Sequence, residues 1–359
     1  MASTWIHQCS GGAVAAAATE YFPLVGSNAG NTTEAQVQNL VRDTYTGSNL
    51  WTKVSTNTNN GTTTIRTRKG AANGAQSVSY SASETGAKED TVNTDAMATG
   101  ETWNYSVNPA GASGQPTVDV LSVLLQHSGT GTFILAASGA ATQIENVVYY
   151  LPLSGAIVES GVEALDQYTL RTDGTLRNLR VYISANSIGA ATVARTRKNA
   201  ANGAQVATIT ASTTGSFEDT TNSDTVTGVN ADEWNYVVDL TSAKKGSVTL
   251  RTIQTEYSCI GRPHIWGDSV SPTTDRYIPL EGGNQDTTEA DTQVKARVAL
   301  TIAKMFTYVS ANTTTVCDVY LRQNGANTSL TVNYGSGVTG VKEDTVNSVS
   351  IVATDLINY

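Results

Sequence analysis

The amino-acid sequence predicts an all-β protein: three tandem antiparallel β-sandwich domains of the jelly-roll kind, the third lacking its last strand. Three observations lead there. A long motif recurs at a period the size of a domain. Short runs of alternating apolar and polar residues, separated by Gly and Asn turns, fill each period. Charged residues make up only 15% of the chain while Thr, Ser, Asn, Ala and Gly abound, which suits strands and tight turns and does not suit helices.

The first copy of the motif reads T-R-K-G-A-A-N-G-A-Q over 67–76. It continues through Glu89-Asp90-Thr91-Val92-Asn93 and closes on Trp103-Asn104-Tyr105. The second reads T-R-K-N-A-A-N-G-A-Q over 196–205, then Glu218-Asp219-Thr220-Thr221-Asn222 and Trp234-Asn235-Tyr236. The third is more diverged: L-R-Q-N-G-A-N-T from Leu321, Glu343-Asp344-Thr345-Val346-Asn347, and Ile357-Asn358-Tyr359. Asp90, Asp219 and Asp344 are 129 and 125 residues apart. Phe22-Pro23-Leu24, Leu151-Pro152-Leu153 and Ile278-Pro279-Leu280 repeat at 129 and 127. A solenoid period would be 20–50 residues, so these are whole domains, expected at 1–128, 129–258 and 259–359.

Each domain opens with a strand, at 4–10 and 132–137, and less regularly around Pro263-His264-Ile265-Trp266. The Tyr-x-Pro-Leu strand follows, its Pro suiting a strand start or edge. For 33–38, 162–170 and 288–294 a helix is weighed against a strand. The strand is preferred because alternation continues and no cap or apolar helical stripe appears. Residues 176–183 (L-R-N-L-R-V-Y-I) carry the period of two expected of a half-buried strand, and 50–54 and 306–309 take the same place. The Arg-rich strand leads to Asn73-Gly74, Asn202-Gly203 and Asn324-Gly325, read as type I′ hairpin turns. Return strands at 78–80, 207–209 and 330–332 follow. Then come Gly turns at Gly86, Gly215 and Gly340, the Glu-Asp-Thr strand and the Trp-Asn-Tyr strand. A last strand at 118–126 and 247–254 closes the first two domains and has no counterpart in the third. An open sheet edge there would invite a strand from another chain.

A net charge of −9 with no basic cluster argues against wrapping nucleic acid, which needs Lys and Arg against phosphate. The dense basic runs Arg66-Thr67-Arg68-Lys69 and Arg195-Thr196-Arg197-Lys198 read as solvated strand ends. Cys9, Cys259 and Cys317 are odd in number and share no spacing, so no disulfide framework is expected. No run approaches the ~20 apolar residues of a membrane helix, and 11–19 lacks the flanks of a signal peptide. A soluble protein made in the cytoplasm is expected.

No catalytic residue, cofactor or metal site is expected. His7, His127 and His264 lack metal-ligand spacing and do not recur at the repeat period. The pairs Glu89-Asp90, Glu218-Asp219 and Glu343-Asp344 have the oxygens for Ca²⁺ or the carboxylates of a glycosidase. Adjacent strand residues point to opposite faces, however, so a structural hydrogen-bonding role is preferred. Trp103 with Tyr105 and Trp234 with Tyr236 would form a sugar platform if exposed and a core if buried. Ile357 in the third copy favours the core.

Taken together, the Tyr-x-Pro-Leu, Thr-Glu-Ala-x-Val, Leu176-Arg177-Asn178-Leu179-Arg180-Val181, Leu321-Arg322-Gln323-Asn324-Gly325 and Asp344-Thr345-Val346-Asn347-Ser348 motifs resemble β-sandwich modules of tailed-bacteriophage structural proteins. The resemblance covers nearly the whole chain, apart from the Asn/Thr-rich loop at 55–64. It implies a virion protein of the decoration, fibre or tail type, made in the host cytoplasm. Its partners would be further copies of itself and other virion proteins such as the major capsid or tail proteins. It brings no catalytic residue. A carbohydrate- or receptor-binding tandem module and a filament or adhesin subunit joined by strand addition are the alternatives.

Overall fold

The computed structural model describes residues 3–27, 30–127, 131–157, 159–228, 232–241, 245–260, 274–281 and 285–359. With 63% of residues in strands and helical structure confined, among the described residues, to single 3-10 turns, the chain is all-β. It divides into two compact units: residues 1–271 with 281–284, and 272–280 with 285–359. The first holds two copies of the repeat and the second holds the third.

In the first copy the strands are β1 (Ser3–Ser10), β2 (Glu20–Pro23), β3 (Gly26–Ser27), β4 (Asn39–Leu40), β5 (Tyr45–Asn57), β6 (Thr63–Lys69), β7 (Ala72–Tyr80), β8 (Gly86–Met97), β9 (Thr102–Pro109) and β10 (Pro116–His127). One sheet runs β3-β1-β10-β5-β8; the other runs β2-β9-β6-β7, with β4 also on β9. All pairs are antiparallel except β1 with β3. First long strand pairs with last and second with last but one, the winding expected of a jelly roll.

The second copy repeats this order with β11 (Thr132–Ile144), β12 (Val148–Leu151), β13 (Gly155–Ala156), β14 (Tyr168–Thr169), β15 (Gly174–Asn186), β16 (Thr192–Lys198), β17 (Ala201–Ile209), β18 (Gly215–Val226), β19 (Glu233–Asp239) and β20 (Ser247–Cys259). The third has β21 (Val294–Lys295), β22 (Leu300–Val309), β23 (Val316–Gln323), β24 (Ala326–Gly335), β25 (Gly340–Ile351) and β26 (Leu356–Asn358), in sheets β21-β26-β23-β24 and β22-β25. Among the described residues, nothing stands beside β22 where β10 and β20 stand beside β5 and β15. The segment around His264 and Trp266 lies outside the described residues.

Inward-facing residues fill each sandwich. Trp103, Tyr105, Trp234, Tyr236 and Ile357 are fully buried, so the aromatic pairs are core and not a platform. In the first unit one apolar cluster runs through both copies, from Phe22, Leu50 and Leu121 to Leu179, Ile253 and Tyr257. Gly26 sits at the contact of the two copies: a Cβ there would lie 2.9 Å from the Gly155 carbonyl and 3.1 Å from Ser138.

Two local expectations are corrected. The segments 33–38, 162–170 and 288–294 do not begin as strands. Each makes a 3-10 turn, Glu34–Gln36, Glu163–Leu165 and Glu289–Asp291. The turn aims its glutamate at an arginine across the sheet, a pull that an alternation count cannot register. The hairpin turns in the first two copies lie three residues before Asn73-Gly74 and Asn202-Gly203. The left-handed pairs are Gly70-Ala71 (φ 54° and 65°), Asn199-Ala200 (49° and 61°) and, as expected, Asn324-Gly325 (52° and 80°). Asn73 and Gly74 belong to β7 instead. Asn73 accepts a hydrogen bond from Arg68 Nη1. A Cβ on Gly74 would come within 2.3 Å of Thr67 Oγ1.

Candidate functional site

The repeated acidic motif is a backbone device. Pairing between β5 and β8 skips from Ser48 opposite Thr94 to Leu50 opposite Asp90, leaving 91–93 as a bulge. Asp90 accepts the N–H groups of Val92 (3.1 Å), Asn93 (3.0 Å) and Ser77 (2.9 Å), and the Asn93 amide at 2.9 Å. Asp219 does the same for Thr221, Asn222 and Val206, and Asp344 for Val346, Asn347 and Thr331. Burial alone would raise the Asp90 and Asp219 carboxyls, but these donors outweigh it and hold both below the usual range. Asp344, held by Asn347 above all, is lowered to about 2. Carboxylates so engaged have no oxygen to offer a metal or a substrate. Among the described residues no group of three metal-ligating side chains converges.

The basic runs are not simply solvated strand ends. Arg68 makes a two-pronged bond to Glu34, with Nε to Oε1 and Nη2 to Oε2 both at 2.8 Å, and lies over the Tyr21 ring. Arg197 meets Glu163 and Tyr150, and Arg322 meets Glu289 and Tyr277, in the same way. Each fork fastens the 3-10 turn to the sheet in its own copy.

A third internal cluster explains a difference between copies. Asp95 accepts from Thr67 Oγ1 (2.5 Å), Gln76 Nε2 (3.0 Å) and the Ala75 N–H (2.6 Å), while Gln76 Oε1 takes the Leu50 N–H. Asp224, Thr196, Gln205, Ala204 and Leu179 repeat it. At the corresponding positions the third copy has Val349, Leu321 and Leu330, all buried, and Thr328 in place of Gly74 and Gly203.

Charge that the repeats do not account for gathers where the first copy docks on the second. Residues 38–45 lie against β15, β18 and β20. The Leu40 N–H donates to Gln254 Oε1 (3.1 Å), and Gln254 Nε2 returns a bond to the Leu40 carbonyl (2.8 Å). Glu256, fully buried, accepts the Arg42 N–H at 2.7 Å and Asn178 Nδ2 at 2.7 Å. The Arg42 guanidinium pairs with Glu218. Arg180, 5% exposed, donates to the Gln38 carbonyl at 2.9 Å. Arg177 lies 3.6 Å from Asp43, whose Oδ2 is 2.9 Å from His127 Nε2. Burial raises the Glu256 carboxyl against the pull of Asn178, Arg42 and Arg177, and it lowers Arg180 to about 10.

This arrangement can hold two sandwiches in one register. The nearest carboxylates, Glu256 and Glu218, are committed to backbone N–H, amide and guanidinium partners. Of the sequence candidates, Glu218 alone among the acidic residues is seen to contribute here, and His127 joins through Asp43. His7 is buried 3.1 Å from Glu281. Sequence reasoning missed Gln254, Glu256 and Arg180. The signal was divergence between copies, since Glu256 stands where the first copy has Leu124 and Arg180 where it has Trp51. Among the described residues no helix is long and apolar enough to cross a membrane. No protein-family profile matches the chain, and no curated protein matches it.

Proposed function

We propose that the chain is a non-enzymatic structural protein of a tailed-bacteriophage virion. It would serve as a capsid decoration or cement protein or as a fibre or spike component, working through repeated protein–protein contacts. The observation that carries this reading is the use to which charged residues are put. In the described residues the recurring Asp, Arg and Glu side chains fasten each sandwich internally, and the buried Glu256 and Arg180 fasten one sandwich to the next. Rigid modules joined through polar, directional contacts suit a protein whose task is to present surface. The motif resemblance supplies the virion setting, and with it a life in the host cytoplasm before assembly. Fold by itself does not choose a function.

The test is compositional. Intact particles from the source of the sequence are banded by density and analysed by mass spectrometry. Peptides of this chain are expected in the particle band at high copy, with the full chain inert on hydrolase substrates and glycan arrays. Recovery of the chain in the soluble fraction alone, or selective binding to one glycan, would overturn the reading in favour of a free binding module.

A further inference from the structure

The second copy holds an acidic pair where the first has none. Tyr21 of the first copy and Tyr150 of the second make the same bridge, to Asn31 and to Ser160, which aligns Gly30 with Glu159. The 3-10 turns align Val37 with Asp166. In the first copy Val37 is fully buried, and a Cβ on Gly30 would collide with the Glu20 carboxylate, one oxygen of which takes the Ala15 N–H at 2.8 Å. In the second copy Tyr149 stands in place of Glu20, and the carboxyls are those of Glu159 and Asp166.

This pair is unmatched. Asp166 is 6% exposed, and its Oδ2 is buried without a hydrogen-bond partner among the described residues. Glu159, half-buried, is close enough to act electrostatically on it, and among the described residues no basic side chain acts on either carboxyl. Arg197 is committed to Glu163. A third oxygen borders the same place. In the third copy Asn358 Nδ2 donates to Thr292 Oγ1 at 2.9 Å. Asn235 and Asp166 hold those two positions in the second copy. There Asn235 Nδ2 is turned to the Tyr236 carbonyl at 3.1 Å, and Oδ1 is buried without a partner among the described residues. Unmatched acceptors gathered in the interior are costly unless something positive sits among them.

We propose that Asp166 Oδ2, the Glu159 carboxylate and Asn235 Oδ1 bind one hard divalent cation of the calcium type. Two carboxylates balance its charge, and an all-oxygen donor set without nitrogen or sulfur favours calcium over zinc or copper. Three protein groups leave the rest of the coordination shell to water, which enters past the half-buried Glu159. Few charged ligands and an incomplete cage set the affinity at about 0.1–1 mM. The ion would pin the turn Glu163–Leu165 to β19, a task that buried Val37 performs in the first copy by apolar packing. The site is independent of the virion reading.

The experiment titrates the full chain, stripped with a chelator, with calcium chloride by calorimetry, and follows amide hydrogen exchange with and without the ion. One ion per chain is expected, with exchange over residues 160–166 slowed about tenfold. Glu159→Gln and Asp166→Asn each keep the side-chain shape and remove one charge, and each should weaken binding about tenfold or more. Should a variant lose its fold, the exchange pattern of the parent decides. Absence of binding up to about 10 mM calcium, binding that survives both substitutions, or slowing confined to other segments overturns the assignment.

Discussion

Glu256 of the second copy accepts the backbone N–H of Arg42 of the first at 2.7 Å, from a position with no exposed surface. A carboxylate is held in the interior because its oxygens are matched by the Arg42 main-chain N–H from the neighbouring module and by Asn178 and Arg177 of its own. Glu256→Ala leaves the Arg42 N–H and the Asn178 amide without their acceptor and removes one of the two carboxylates beside Arg177, and the expected destabilisation is about 2–4 kcal/mol. Urea unfolding followed by fluorescence should then separate into two steps for the first unit. Glu256→Gln keeps the acceptor for Arg42 and should cost less. An unchanged single transition in the alanine variant would refute the role.

The Thr196–Gln205–Asp224 cluster and its apolar counterpart in the third copy set up a swap. Asp224→Val alone strands the Thr196 hydroxyl, the Gln205 amide and the Ala204 N–H, at an expected loss of about 3 kcal/mol. Combining it with Thr196→Leu, Gln205→Leu and Gly203→Thr should recover part of that loss, the remainder being the unpaired Leu179 and Ala204 N–H groups. Denaturant midpoints of the single and fourfold variants measure this. Simple additivity of the four changes would contradict it.

The fork between Arg322 and Glu289 has contacts of 2.6 Å and 3.0 Å with the Tyr277 ring beneath. Arg322→Lys keeps the charge and loses the two-pronged geometry, so thermal unfolding of the second unit should fall by about 1–2 kcal/mol. A lysine variant that melts with the parent would show the fork to be ornamental.

Asp166 stands where the other copies have Val37 and Thr292. Burial first, and then Glu159, push its carboxyl up to about 8 from 3.8. Between those values the folded chain keeps a proton that the unfolded chain has released. Stability should therefore decline as pH rises, by at most about 1.4 kcal/mol per pH unit, and level off above pH 8. Asp166→Val should flatten that slope. Urea midpoints at pH 5, 6.5 and 8 distinguish the two, and a parent protein without the slope would disprove the assignment.

Much of this architecture is legible in the residues. The period shows the copies, alternation shows the strands, and Trp103, Trp234 and Ile357 in one aligned column mark the core. The Asp of Glu-Asp-Thr is read correctly as a hydrogen-bonding residue. The turn at Gly70-Ala71 is hidden because a better turn signal, Asn73-Gly74, lies three residues on and serves a different need, a close approach to Thr67 and Asp95. The 3-10 turn at Glu34 is hidden because its cause, Arg68, is distant in sequence. The docking residues Gln254, Glu256 and Arg180 are hidden because looking for what recurs sets aside what does not.

Tandem copies of similar sequence run a risk while they fold: a hairpin from one can settle into the sheet of another. The apolar trio of Leu321, Leu330 and Val349 guards the third copy against this. A β23–β24 hairpin lodged in the second sandwich would set two leucines against Asp224 and bury that carboxylate without the donors that normally surround it, a misfit of several kcal/mol. The reverse exchange would drop Thr196 and Gln205 beside Val349. The chemistry of three interior positions thus acts as an address label that sets the third copy apart from the first two, which share the Thr–Gln–Asp set.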